Sequence, residues 1–165
     1  MKKISLLFVL LFATVLGYSQ VFLEVTGLPG ATGEQPVLSY SFGASNPINI
    51  GSQSSGAGAG KVSYSSFNLL MQRNPISLAL LRAVGTGSRF NEAKVKIYDN
   101  TGKKVVYQIT LTGVFVESWQ QSAGCGTKDC DKPTESVSFV FGKIRIDDFE
   151  NKTSTEYNVE TASSN

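Results

Sequence analysis

The residues best equipped for chemistry are few, and what is missing narrows the field first. The chain contains no histidine, which removes Ser-His-Asp and Cys-His nucleophile pairs, His-ligated zinc and imidazole proton shuttles together. The densest acidic group, Asp147, Asp148 and Glu150, contains enough carboxylates for glycoside hydrolysis. Neighbouring strand residues point to opposite faces, however, so Asp147 and Asp148 are expected to diverge at a solvated strand end. The run Gly56-Ala57-Gly58-Ala59-Gly60-Lys61 resembles a phosphate cradle, because successive glycine amides can wrap a phosphate and a following lysine can reach it. A Walker loop would need a glycine five positions before the last one and Ser or Thr after the lysine. Those positions hold Ser55 and Val62, so nucleotide binding is not expected. No catalytic residue, cofactor site or metal site is assigned, and the protein is read as a non-enzyme.

Two cysteines remain. Cys125 and Cys130 enclose four residues, a spacing that differs from the Cys-x-x-Cys redox motif, and two thiolates without a second pair or a histidine would leave zinc half-ligated. In an oxidising compartment such a pair is expected to close a small loop as a disulfide. The N-terminus points to that compartment. Lys2-Lys3 precede an apolar run from Ile4 to Leu16, followed by Gly17, Tyr18 and Ser19, which is the layout of a secretory signal peptide cleaved after Ser19. The run of about thirteen residues is too short to span a bilayer, which takes roughly 20. The mature protein is therefore expected to be secreted or periplasmic, with no membrane span.

Composition agrees with one domain. Of the 165 residues, 41% are hydrophobic and 17% charged, which suits a compact unit. Once Lys2 and Lys3 leave with the signal, the fifteen basic and thirteen acidic side chains become thirteen of each. A balanced surface gives no electrostatic pull toward nucleic acid.

The elements that would position these residues are mostly strands. Leu38, Tyr40 and Phe42 alternate with serines, Ala93, Val95 and Ile97 with lysines, and Val105 to Leu111 continues the two-residue period. Asp99-Asn100-Thr101-Gly102 lies between the last two runs and should close a hairpin. Further strands are expected at Val21 to Thr26, Gly60 to Phe67, Val114 to Trp119, Ser136 to Phe141 and Lys143 to Asp147. One stretch has helical spacing instead: Ile76, Ala79, Leu80, Ala83 and Val84 share a face, with Asn74 as cap, Pro75 at the first position and Gly85 as stop. A single short helix cannot cover both faces of an open sheet, so the expected architecture is mainly β, a sandwich or small barrel of antiparallel strands with one short α-helix plugging one side. Residues 46–60, rich in glycine and serine, should form a long exposed loop. Residues 151–165 form a polar tail that either adds an edge strand or frays.

In their order, these segments resemble the haemolysin-coregulated proteins, which build the inner tube of type VI secretion systems. The resemblance rests on Phe22-Leu23-Glu24-Val25, the strand from Val37 to Phe42, Gly58-Ala59-Gly60-Lys61-Val62, and the helix after Asn74-Pro75. It continues through Phe90-Asn91-Glu92-Ala93-Lys94-Val95, Tyr107 to Leu111, Val114 to Ser118 and Glu135-Ser136-Val137-Ser138-Phe139, covering nearly all of Val21 to Glu150. It implies a small β-barrel domain over residues 20–150 and a structural role: homo-hexameric rings that stack into a tube, with an effector or cargo protein in the lumen. In such proteins the long loop before the third strand reaches the next ring, which places that contact here on Ser54, Ser55, Gly56, Ala57, Gly58, Ala59, Gly60 and Lys61. The contrasting expectation is a secreted monomeric barrel that binds a cell-surface partner or glycan.

Overall fold

The computed structural model of the chain describes residues 20–31, 33–46, 62–124, 132–161 and 163–164. Among the described residues the strands are β1 (Val21–Thr26), β2 (Gln35–Pro36), β3 (Ser39–Ser41), β4 (Ala44–Ser45), β5 (Ser63–Tyr64), β6 (Phe67–Gln72), β7 (Arg89–Tyr98), β8 (Val105–Ser122), β9 (Thr134–Val140), β10 (Lys143–Asp148), β11 (Thr153–Asn158) and β12 (Ser163–Ser164), with one helix, α1 (Ser77–Thr86), between β6 and β7. Every ladder among the described residues is antiparallel. No helix among the described residues is long and apolar enough to cross a membrane.

The organising element is β8, 18 residues long. Along one side it pairs with β7, and along the other it pairs first with β10 and then with β9. Strands β9 and β10 run in the same direction, so residues 134–148 form one strand bent at Phe141-Gly142, where the Gly142 amide bonds the Thr112 carbonyl at 3.0 Å. Beyond β9 lie β6 and then β3; beyond β7 lie β1 and β2. The short crossing from β2 to β3 brings these outer strands together: the Val37 amide bonds the Val21 carbonyl and the Leu38 amide bonds the Leu70 carbonyl, each at 2.8 Å. The sheet is thus rolled round its core, with the ladder interrupted at Val37–Leu38 rather than closed without a break. This is the expected antiparallel β fold, with one helix among the described residues, in an incompletely closed form.

Its interior is filled from every wall. Leu23, Val95, Ile109, Leu111, Val137 and Phe139 are fully buried, while Ile76, Leu80 and Ala83 of the helical segment cover one opening. Phe67 carries the aromatic part of the core, stacked on Tyr40 at 5.6 Å and Phe42 at 5.3 Å between ring centres.

Local chemistry explains most boundaries. The helix entrance lies later than expected: Ile76 holds the cap position without a side-chain cap bond and Pro75 precedes it, while Asn74 ties the approach, its Oδ1 accepting from the Ile76 amide at 3.0 Å. The exit differs from expectation. Gly85 lies inside α1, and the stop is Gly87, which adopts a left-handed φ of 60° and donates its amide to the Ala83 carbonyl. The hairpin between β7 and β8 closes where expected: Asp99 Oδ1 accepts from Thr101 Oγ1 at 2.8 Å and the Lys103 amide at 3.0 Å, and Gly102 has φ 68°. Residues 153–158 of the polar tail form an edge strand on β10.

A charged network fastens the loop after β1. Lys96 Nζ bonds Glu24 at 2.6 Å and Glu34 at 2.8 Å, and the Tyr98 hydroxyl donates to the same Glu34 carboxylate at 2.9 Å. Partial burial opposes the Lys96 charge, but the bonds to Glu24 and Glu34 outweigh it and raise its pKa. The Lys96 bond lowers the Glu24 pKa against a smaller opposing effect of burial. A carboxylate held down in the folded state stabilises above its unfolded pKa and loses that contribution as pH falls through the folded value. Thermal stability is therefore expected to fall below about pH 4.5, and Glu24→Gln should flatten part of that fall in melts run from neutral to strongly acidic buffer. Lys96, by the same reasoning with opposite sign, stabilises throughout the neutral range and loses its contribution only at strongly alkaline pH.

Candidate functional site

No cleft among the described residues gathers reactive groups; the candidate site is the outer surface of the rolled sheet. The acidic residues singled out from sequence disperse. Asp147 is held by Arg145 from two positions earlier on the same face, with the guanidinium Nη2 at 2.8 Å. Asp148 turns away and accepts from the Asn151 amide at 2.9 Å and side chain at 2.8 Å, bonds that lower its pKa. Both aspartate carboxylates are occupied with structure, in agreement with the divergence expected of neighbouring strand positions, and Glu150 lies exposed in the turn that follows.

The outer surface has two regions of different chemistry, separated along β8. Over β1, β7, the first half of β8, β10 and β11 it is charged and cross-linked: Glu24 with Lys96, Glu92 with Lys94, and Glu156 with Lys143. Over β3, β6, β9 and the last part of β8 it has hydroxyl and amide groups at Ser41, Asn68, Ser138, Ser136, Ser118 and Gln120, brought side by side by the ladder registers, with Leu70, Phe115 and Val140 exposed among them. Ser138 Oγ donates to Asn68 Oδ1 at 2.6 Å across β6 and β9.

Two local irregularities in β8 make this division possible. Leu111 and Val114 are both buried although three residues apart, because Gly113 takes φ 66° and shifts the inward face from odd to even positions. A register shift between Val116 and Ser118 returns it to odd positions, so Trp119 faces inward. Neither shift is visible in a two-residue period, which explains why 105–111 and 114–119 read as separate strands.

At the far end of β8 the interior turns polar, which sequence reasoning missed. Glu135 is fully buried, with one oxygen bonded by Gln121 Nε2 at 3.0 Å; its other oxygen and the indole N–H of nearby Trp119 have no hydrogen-bond partner among the described residues. The signal was available in the alternation Glu135, Val137, Phe139, which places Glu135 on the inward face.

Two predicted sites lie outside the described residues. Ser54 to Lys61, the expected ring-stacking loop, belongs to a segment that leaves through β4 and returns through β5, paired at Ala44–Tyr64 and Ser45–Ser63. That base is docked firmly, because the Tyr64 ring packs on Tyr157 of β11 at 4.8 Å and on Phe141 at 6.4 Å. Cys125 and Cys130 likewise lie outside the described residues, beyond the Ser122–Thr134 end of the β8–β9 ladder. The expected signal segment, residues 1–19, is also outside them.

Finally, among the described residues the β11 side of the sheet is largely open. On the side of β11 away from β10, pairing among the described residues involves only Tyr157 and Asn158, leaving Thr153 to Glu156 with an edge that another strand could extend.

Comparison with known proteins places this geometry. The family described as "Type VI secretion system effector, Hcp" matches residues 24–147. Among solved structures, a type six secretion system protein superposes with TM-score 0.74 at 20% identity, over 88% of this chain and 98% of its own. Hcp1 from Salmonella typhimurium gives 0.70 at 15% identity, over 88% and 97%. A type VI secretion system effector from Yersinia pestis gives 0.64 at 18% identity, over 84% and 99%. Among curated proteins nothing matches the sequence.

Proposed function

Because the chain belongs to the Hcp family of type VI secretion system proteins, we propose that it is a non-enzymatic tube subunit whose copies close into six-membered rings, stack, and carry an effector or cargo protein in the lumen. The family match across residues 24–147 carries this reading. The surface supports it in physical terms. A closed ring needs a heterologous contact, two different patches that meet between neighbours, and the open edge of β11 offers backbone groups for one of them. The hydroxyl and amide face over β3, β6 and β9 suits a lumen wall, since such groups exchange hydrogen bonds with a passing protein without holding it by charge. Negative-stain imaging of the purified protein should show rings with a central hole. Solid particles of protomer size would contradict the reading and favour the secreted monomeric barrel that binds a surface partner or glycan.

Ser54 to Lys61 form the contact between rings in this proposal. Replacing Gly58 and Gly60 with valine restricts the backbone there and is expected to abolish stacking while leaving single rings, read as short cylinders becoming isolated rings in images. Equal loss of rings and stacks would remove the loop from that role.

The same proposal places the protein outside the cytoplasm, secreted or periplasmic after cleavage at Ser19, with Cys125 and Cys130 joined. The loop they would close is short, so the staple is expected to contribute about 2 kcal/mol, the low end for a disulfide. Cys125→Ser should lower the non-reducing melting temperature modestly without altering ring mass. A variant that melts like the parent, in a sample whose parent mass shows both thiols free, would contradict the pairing.

A further inference from the structure

The ring proposal leaves open which surfaces meet, and two features at opposite ends of the β7–β8 ladder complement each other. The first is a groove of about 460 Å³ beside α1, lined by Leu28, Pro29, Leu78, Ala79 and Phe90, with Arg82 as its charged member. No carboxylate lines it among the described residues, and Leu78 on its rim is 65% exposed. Its volume lies within the roughly 300–1,000 Å³ typical of binding clefts.

The second is the turn between β10 and β11. Phe149 there is 44% exposed between Asp148 and Glu150. The turn is rigid: Asp148 Oδ1 accepts from the Glu150 amide at 3.1 Å and the Asn151 amide at 2.9 Å, and the Phe149 amide bonds the Val106 carbonyl at 2.9 Å. Holding an aromatic ring exposed on a fixed turn lowers the entropy lost when it docks. Phe and Arg are both enriched in interfaces relative to the rest of a protein surface.

Phe149 is anchored beside Val106, whereas Phe90 of the groove pairs with Val114. At about 3.3 Å per residue along β8 the two sites stand roughly 25 Å apart, so they cannot meet within one molecule. We propose that the groove beside α1 receives the Phe149 turn of a second copy of this chain, with Glu150 facing Arg82, as a head-to-tail contact that propagates round the assembly. The proposal rests on the reading that the chain self-assembles, and goes beyond it by naming the two surfaces. Groove and turn differ, so the contact is heterologous, as ring closure requires.

Charge reversal tests it. Arg82→Glu and Glu150→Arg are both at exposed positions, and unchanged melting curves would confirm that each variant is folded. Each alone should assemble roughly tenfold less readily than the parent, because its groove and turn now carry like charges. An equimolar mixture should recover, since copies of the two variants that alternate round the assembly oppose unlike charges at every contact. The two introduced side chains meet at one contact and the parental Arg82 and Glu150 at the next, an arrangement that fits an even-membered ring. Single variants that assemble like the parent would overturn the proposal and leave the groove to another partner. So would single variants that fail in a mixture that does not recover. A parent that is itself monomeric at every concentration would instead overturn the assembly reading on which the proposal stands.

Discussion

Phe67→Ala is expected to cost about 3–5 kcal/mol, the usual range for emptying a buried aromatic site. Phe67 is fully buried, opens β6, and lies opposite Phe139 of β9. Its ring is stacked by Tyr40 and by Phe42, with ring planes 6° and 20° from parallel. Those two aromatics are only half-buried and belong to the chain around β3, which is a three-residue strand paired on β6. Removing Phe67 therefore leaves a cavity and also withdraws the surface that holds the β2–β3 crossing against the roll. For a chain of this size the melting temperature should fall by roughly 6–20 °C. Phe67→Leu, which retains most of the volume, should lose less than half as much. Equal losses for the two substitutions would show that aromatic stacking, rather than filled volume, supports the site.

Gly113→Val is expected to be nearly as damaging for a different reason. Gly113 adopts φ 66°, a left-handed conformation costing roughly 1–2 kcal/mol for an ordinary residue and more for a β-branched one. A Cβ there would also meet Arg89 Nη2 at 2.6 Å. That guanidinium lies over the Phe115 ring at 6.0 Å and can swing aside, so the steric part is a lost cation–π contact rather than an immovable clash. The total should be about 3 kcal/mol, measurable by urea unfolding. Gly113→Asn, which tolerates left-handed backbone, should lose about half of that. Because Gly113 lets one strand turn its inward face for both halves of the sheet, the valine variant should also show a changed near-UV spectrum from Trp119. If Gly113→Val and Gly113→Asn were equally stable, the left-handed conformation would not be what the site requires.

These two positions also show what can be read from sequence and what cannot. Alternating apolar residues locate β1 to the residue, and Asp99 to Gly102 locate the β7–β8 hairpin, because both signals are local. The strand expected from Gly60 to Phe67 is misplaced. Among the described residues of that stretch only Ser63–Tyr64 pairs before the longer strand begins at Phe67, since β6 is selected by its partner β9 rather than by its own pattern. Leu38, Tyr40 and Phe42 read as one inward face, yet Leu38 is half-exposed while Val37 is fully buried. The chain crosses from β1 to β6 between them, and alternation is lost wherever a strand changes neighbours. Gly85 and Gly87 are equally plausible helix stops in composition. Gly87 ends the helix, and the Thr86 hydroxyl, bonded to the Arg82 carbonyl at 3.1 Å, continues the helical path past Gly85. The lack of histidine and of a paired nucleophile is legible from residue types alone. The Arg82 groove is not, because Leu28, Leu78 and Phe90, which line it with Arg82, are brought together only by the fold.

This Hcp-family chain is proposed to act by assembling, and the solution mass of the protein from Gln20 onward, by light scattering behind a sizing column without reductant, decides it. A species of about 95 kDa is expected, six protomers in a closed ring. A single species of about 16 kDa that persists as concentration is raised would contradict it, and would mean that the fold serves a monomeric binding role instead.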